Sequence, residues 1–176
     1  MVIYFLRHAS AGKRVVSTSK DDRRPLDEEG ILQARYMGRM LANLDVQVEQ
    51  IVSSPLKRAL QTASLVANEL AVETAVQIDD ALLPEADLAK FQAMLSRFRQ
   101  YESVMAVGHN PSMTEFLSKT ISAGAGAAQI EFKKGAVAKV EVSGRSGTLH
   151  WLVTPKIARS LQASRRLSSR PKTSRK

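Results

Sequence analysis

The chain of 176 residues contains no cysteine. That excludes disulfides and thiolate chemistry and is compatible with a reducing compartment. Long apolar runs are missing too. The N-terminal run, Val2 to Leu6, is ended by Arg7 and is too short for a signal peptide. No later stretch is long and apolar enough to cross a bilayer, so a cytoplasmic setting is expected. Histidine is scarce: His8, His109 and His150 are the full set. No carboxylates cluster at ligand spacing, and no metal or other cofactor is expected. Acidic residues are absent from 156–176, where Lys156, Arg159, Arg165, Arg166, Arg170, Lys172, Arg175 and Lys176 account for most of the net charge of +9. The preceding 155 residues carry 18 basic and 17 acidic side chains, a net of +1. The basicity therefore belongs to a tail, which argues against a nucleic-acid-binding body.

What is present alternates between strand and helix patterns. Val2–Leu6 and Ser103–Val107 are continuous apolar runs, the pattern of strands buried on both faces of a parallel sheet. A polar loop over 12–25 leads to a helix capped by Asp27, with Ala34, Met37, Leu41 and Leu44 on one face. A short strand at Gln50–Ser53 precedes a helix with Ser54 as N-cap and Pro55 at its first position. Val76–Ile78 is a third short strand, and Leu88, Phe91, Leu95 and Phe98 mark the next helix. After Gly108-His109-Asn110-Pro111, with Asn110 as cap, Met113, Phe116, Leu117 and Ile121 mark another. A small-residue connection, 124–128, leads to a terminal hairpin formed by 136–142 and 149–153. Ile157 and Leu161 would dock a short last helix, and the Ser/Arg/Lys-rich residues beyond about Ser164 are expected to be disordered. The expected fold is α/β, a three-layer sandwich with a mainly parallel central sheet, at least one antiparallel edge strand and helices on both faces. Two regions are expected: a catalytic domain over 1–155 and a basic, disordered tail over 156–176.

His8 and His109 each follow a predicted buried strand, so a parallel sheet brings both to its carboxyl edge, where ligands bind. Arg7 lies at the same edge, and Arg58 near a helix N-terminus that opens on it. Two imidazoles, two guanidiniums and helix N-termini make a site for a tetrahedral dianion. Singly, each residue has an ordinary structural explanation; their combination and order carry the argument. His150, beside Trp151 in a predicted strand, is left out of the site.

Arg7-His8-Ala9, Ser53-Ser54-Pro55-Leu56-Lys57-Arg58-Ala59-Leu60-Gln61-Thr62 and Gly108-His109-Asn110-Pro111 resemble the three signatures of the histidine phosphatase superfamily. Ala9 stands where the family usually has glycine. The short chain, Arg24-Pro25-Leu26 before Gly30, and the Gly-His-Asn-Pro turn are similar to the SixA-type phosphohistidine phosphatases. The resemblance covers roughly residues 1–155. It implies that His8 is the nucleophile that becomes phosphorylated, and that Arg7, Arg58 and His109 hold the phosphoryl oxygens. Arg24 is a further phosphate-binding candidate, and Glu85 lies where ester-cleaving members place their proton donor. A phosphohistidine substrate depends less on such a donor, because its P–N bond is labile.

The leading expectation is a metal-independent hydrolase acting on a phosphohistidine-bearing protein. A small-molecule phosphomonoesterase of the same family and an inactive phosphate-binding scaffold are the alternatives. A small domain without large insertions favours a protein substrate, whose side chain can enter an open crevice. The basic tail is a separate candidate contact for anionic polymers.

Overall fold

The N-terminal apolar run forms β1 (Val2–Arg7), the strand around which the sheet is built. In this computed structural model, residues 1–13, 17–122, 126, 128–144 and 146–168 are described, Thr18 and 163–168 as backbone only. β1 pairs in parallel with β4 (Ser103–Gly108) on one side and antiparallel with β5 (Val137–Ser143) on the other. The remaining strands are β2 (Gln50–Ser53), β3 (Gln77–Ile78) and β6 (Ser146–Val153), giving the order β3-β2-β4-β1-β5-β6. β3, β2, β4 and β1 are parallel; β5 and β6 form the antiparallel hairpin at one edge. The expected α/β sandwich is therefore the observed one.

Alternation along β1 explains why the run is apolar throughout. Tyr4 and Leu6 face a core shared with Ile51, Met105 and Val107, while Ile3 and Phe5 face a second core with Val52, Val104 and Ala106. Helices α2 (Glu28–Asn43), α3 (Lys57–Leu70) and α6 (Pro155–Ser168) cover the first face. α4 (Leu88–Arg97) and α5 (Ser112–Ser122) cover the second, where Phe91 stacks on Phe116 at 4.4 Å between ring centroids and meets Phe5 at 5.6 Å.

The loop after β1 contains one short helix, α1 (Thr18–Asp22). Asp27 caps α2 as expected, accepting the backbone N–H of Gly30 at 2.7 Å. Three local expectations need correction. Leu44 sits at the C-cap of α2 and is 54% exposed, because the helix ends before its side chain reaches the core. The cap of α3 is Leu56, not Ser54; Pro55 and Leu56 make an intervening turn, and Ser54 remains at the end of β2. Asn110 does not turn back to cap α5; its Nδ2 donates to the carbonyl of Phe132 at 3.1 Å.

The last helix also differs from expectation. Ile157 and Leu161 point outward, and Ala158 is the residue buried against the core. Gln162 Nε2 donates to the Tyr36 carbonyl of α2 at 3.0 Å. The region 156–176 thus begins as a docked helix; the tail residues 169–176, on which part of the anionic-polymer expectation rests, lie outside the described residues, as does most of the 124–128 connection. Among the described residues, no helix is long and apolar enough to cross a membrane.

Candidate active site

The parallel pairing of β1 with β4 sets Arg7 opposite Gly108, and the backbone N–H of His8 donates to the Gly108 carbonyl at 2.9 Å. The next residues on the two strands, His8 and His109, then lie side by side. Their ring centroids are 4.9 Å apart, and both side chains are buried. β2 lies on the far side of β4 and delivers Ser54, whose N–H bonds the Val107 carbonyl at 2.9 Å. Arg58 follows in the first turn of α3 and is only 5% exposed. Sheet order, with the first turn of α3, therefore gathers residues separated by about a hundred positions.

The tautomer of His8 follows from its partner. Nδ1 lies 2.7 Å from the carbonyl oxygen of Ala9, which can only accept, so Nδ1 carries the hydrogen. Nε2 keeps its lone pair. Burial, together with the charges of Arg58, Arg7 and Lys134, lowers the His8 pKa to about 3, although the Ala9 hydrogen bond opposes the shift. Burial is also the main reason that His109 is lowered to about 2, with His8 and the three arginines Arg58, Arg7 and Arg24 adding to it. Both imidazoles are neutral at physiological pH.

His109 Nε2 lies 2.8 Å from Ser54 Oγ, while its Nδ1 is buried without a hydrogen-bond partner. Ser54 Oγ also accepts the N–H of Leu56 at 3.3 Å. Where the Ser54 hydroxyl donates to His109 Nε2, the His109 hydrogen sits on the unpartnered Nδ1 and is a donor for an incoming oxygen. Arg7 Nη1 donates to the Phe132 carbonyl at 2.7 Å, and its Nε is buried and unpartnered. Burial lowers the Arg7 pKa, though guanidinium remains the charged form. The unpartnered Nε of the half-buried Arg7 guanidinium and the unpartnered Nδ1 of the buried His109 ring are polar atoms that a phosphoryl group would satisfy.

A residue with no role in the sequence reading organises the arginines. Asp21 is 8% exposed, and its carboxylate lies 2.9 Å from Arg24 Nε and 3.4 Å from Arg58 Nη1. Its backbone carbonyl also accepts Arg58 Nη1 at 2.9 Å. Arg24 Nη1 in turn donates to the carbonyls of Ala11 and Gly12 at 2.6 and 3.2 Å. Arg24 therefore braces the loop behind His8, and its charge still contributes to the low His109 pKa.

The rest of that loop is held from three sides. Thr62 Oγ1 accepts the Ala9 N–H at 3.1 Å and donates to the Arg58 carbonyl at 2.7 Å. Gln33 Oε1 accepts the Ser10 N–H at 3.0 Å. Asp27 Oδ2 accepts the Ser10 hydroxyl and the Gly12 N–H at 2.8 and 2.7 Å. Burial works against the Asp27 charge, yet these bonds and that of Gly30 leave its pKa below the ordinary value. The signals for Ser54 and Thr62 were present in the motif around Arg58. Nothing in the local pattern marked the Phe132 carbonyl.

Glu85 is exposed, in the turn after a single 3-10 turn (Asp80–Leu82). Leu83 in this turn accepts the Ser112 hydroxyl at 3.1 Å, which ties it to the start of α5 beside His109. The structure thus brings together His8, His109, Arg7 and Arg58, with Arg24 one link behind and Glu85 outside the buried cluster. His150 lies on β6, bonded to Glu141 at 3.0 Å across the exposed hairpin.

A buried neutral histidine with a free Nε2, next to a second histidine and two arginines, can accept and hold a phosphoryl group. The sequence profile of the histidine phosphatase superfamily (branch 1) matches residues 3–101. The chain belongs to this superfamily. It is 25% identical over 158 residues to phosphohistidine phosphatase SixA of Escherichia coli K12, covering 88% of this chain and 94% of the relative. The solved structure of the protein histidine phosphatase SixA with tungstate superposes with a TM-score of 0.80 at 25% identity, covering 89% of this chain and 99% of that one. The fold is shared more widely: the structure of a putative alpha-ribazole-5'-P phosphatase from Escherichia coli K-12 gives a TM-score of 0.70 at 19% identity, covering 88% and 97%.

Proposed function

We propose that this member of the histidine phosphatase superfamily hydrolyses phosphohistidine on a protein through a phosphorylated His8. The observation that carries the reading is the buried, neutral His8 with Nδ1–H on the Ala9 carbonyl and its other nitrogen available. The similarity to SixA over nearly the whole of both chains supports phosphohistidine as the substrate class.

In the first step the Nε2 lone pair of His8 forms a bond to phosphorus. The substrate's imidazole, protonated from solvent on its other ring nitrogen, leaves with the electron pair of the breaking P–N bond as a neutral ring. Positive charge that develops on the His8 ring is stabilised through Nδ1–H against the Ala9 carbonyl. Arg7, Arg58 and His109 Nδ1–H bind the three phosphoryl oxygens as charge spreads over them. In the second step water forms a P–O bond, the P–Nε2 bond breaks, and His8 returns to its neutral form. The proton lost by water leaves with phosphate or solvent. Glu85, exposed outside the buried cluster, is the candidate to exchange that proton.

Brief exposure to a labelled phosphohistidine protein, followed by quenching and peptide mapping, tests the scheme. Label that is acid-labile, base-stable and located on His8 is expected, and His8→Ala should trap none. Turnover without any such label would reject the covalent route. Turnover of small phosphate esters, with none of phosphohistidine protein, would reject the substrate class.

A further inference from the structure

Arg7 has a second environment besides the histidine pair. It forms one wall of an open cleft of about 780 Å³ that runs between the first turns of α5 and the segment 128–133. Pro111, Ala128, Ile130 and Phe132 supply its apolar surface. The exposed side chains of Glu115, Lys119, Glu131 and Lys133 edge it with both charge signs, and Lys133 pairs with Glu131 at 3.1 Å. Apart from Arg7 and the Phe132 carbonyl that anchors it, the residues around this cleft have no part in the phosphoryl chemistry above.

One wall of the cleft is backbone. Residues 128–133 belong to no helix or strand, and among the described residues Gln129, Ile130 and Glu131 make no backbone–backbone hydrogen bond. Their N–H and C=O groups are therefore not committed to a ladder.

An extended chain has backbone donors and acceptors at regular spacing and side chains on alternate sides. It matches a wall of uncommitted backbone groups, apolar patches between them and a rim of mixed charge. A compact phosphate ester would fill little of such a cleft and would leave its charged rim unused. We propose that the cleft docks the polypeptide segment flanking the phosphorylated residue, bound in extended form against the uncommitted backbone of 129–131. The phosphorylated side chain would pass Arg7 to reach His8. The inference rests on the protein-phosphohistidine reading and names where such a substrate is recognised.

The test compares two substrates: a phosphohistidine-bearing protein and free phosphohistidine. Thr114→Arg places a long side chain in the cleft, and Glu131→Arg reverses an exposed charge at its edge and releases Lys133 from its ion pair. Thr114→Arg is expected to lower kcat/KM for the protein at least tenfold, mostly through KM, with free phosphohistidine changed less than twofold. Glu131→Arg should shift the preference among phosphohistidine peptides towards those with acidic flanking residues, again sparing the free amino acid. Equal losses on both substrates, or none on either for both variants, would overturn docking in this cleft while leaving the activity assignment intact. A wild-type protein inactive on every phosphohistidine polypeptide would instead remove the activity reading, and this inference with it.

Discussion

The imidazoles of His8 and His109 lie 4.9 Å apart at the ends of two adjacent parallel strands, and neither is protonated at neutral pH. In the unfolded chain both would titrate near the ordinary histidine pKa of about 6.5. Between that value and about 3 for His8, or about 2 for His109, the unfolded state binds more protons than the folded state. Stability from this source is complete above about pH 6.5 and is lost as pH falls. Urea midpoints should therefore decline from pH 7 to pH 5, and His109→Gln should flatten the slope. A wild-type midpoint constant across that interval would contradict the buried neutral state.

Asp21 holds Arg58 by its carboxylate and by its backbone carbonyl. Asp21→Asn removes the charge but keeps the backbone contact. Since a displacement of about 1 Å can cost roughly 10²-fold in rate, kcat/KM should fall by about ten- to a hundredfold, with weaker inhibition by inorganic phosphate. Stability alone would not account for this, so thermal melts accompany the kinetics. A variant that melts lower but binds phosphate normally would limit Asp21 to a structural part.

Gly30 explains why the loop behind His8 can lie so close to α2. A Cβ there would stand 1.9 Å from the Ser10 carbonyl oxygen and 2.8 Å from its carbon. These are backbone atoms, so no side-chain rotation relieves the clash. Gly30→Ala should cost about 1–3 kcal/mol in stability, as overpacking typically does, and should lower activity by shifting Ser10 and its neighbours. Unchanged melting and turnover would show that α2 can move without cost.

Glu85 separates two kinds of leaving group. An alkoxide requires a proton as it departs, and general acid catalysis is worth about 10²–10⁴-fold. Glu85→Gln should depress hydrolysis of phosphate esters by an amount in that range while leaving phosphohistidine within a few-fold. Equal loss on both substrates would assign Glu85 to the water-attack step that they share.

The parts legible in the sequence were those with a pattern: apolar runs for β1 and β4, three- and four-residue steps for the helices, and motif residues at strand ends. Asp21 had no such mark, because a single aspartate in a polar loop looks the same whether it faces water or two arginines. Ser54 looks like a cap because Ser-Pro is a common helix start; the structure uses its hydroxyl on His109. On the last helix Ile157 and Leu161 outweigh Ala158 in apolarity, whereas the close contact with α2 favours the smaller side chain. The Phe132 carbonyl, which receives both Arg7 and Asn110, is a backbone group and leaves no trace in residue identity.

The central position of β1 also governs the order in which the molecule can assemble. Its partners are β4, which starts at residue 103, and β5, which starts at residue 137. During synthesis the apolar β1 stretch emerges well before either partner. Contacts this distant in sequence close slowly, and an unpaired apolar strand is prone to aggregate in the interval. Chains ending before residue 137 would carry His8 and His109 yet lack one side of the strand that positions them. The His8–His109 geometry of the finished fold thus depends on the hairpin as well as on the β1–β4 pair.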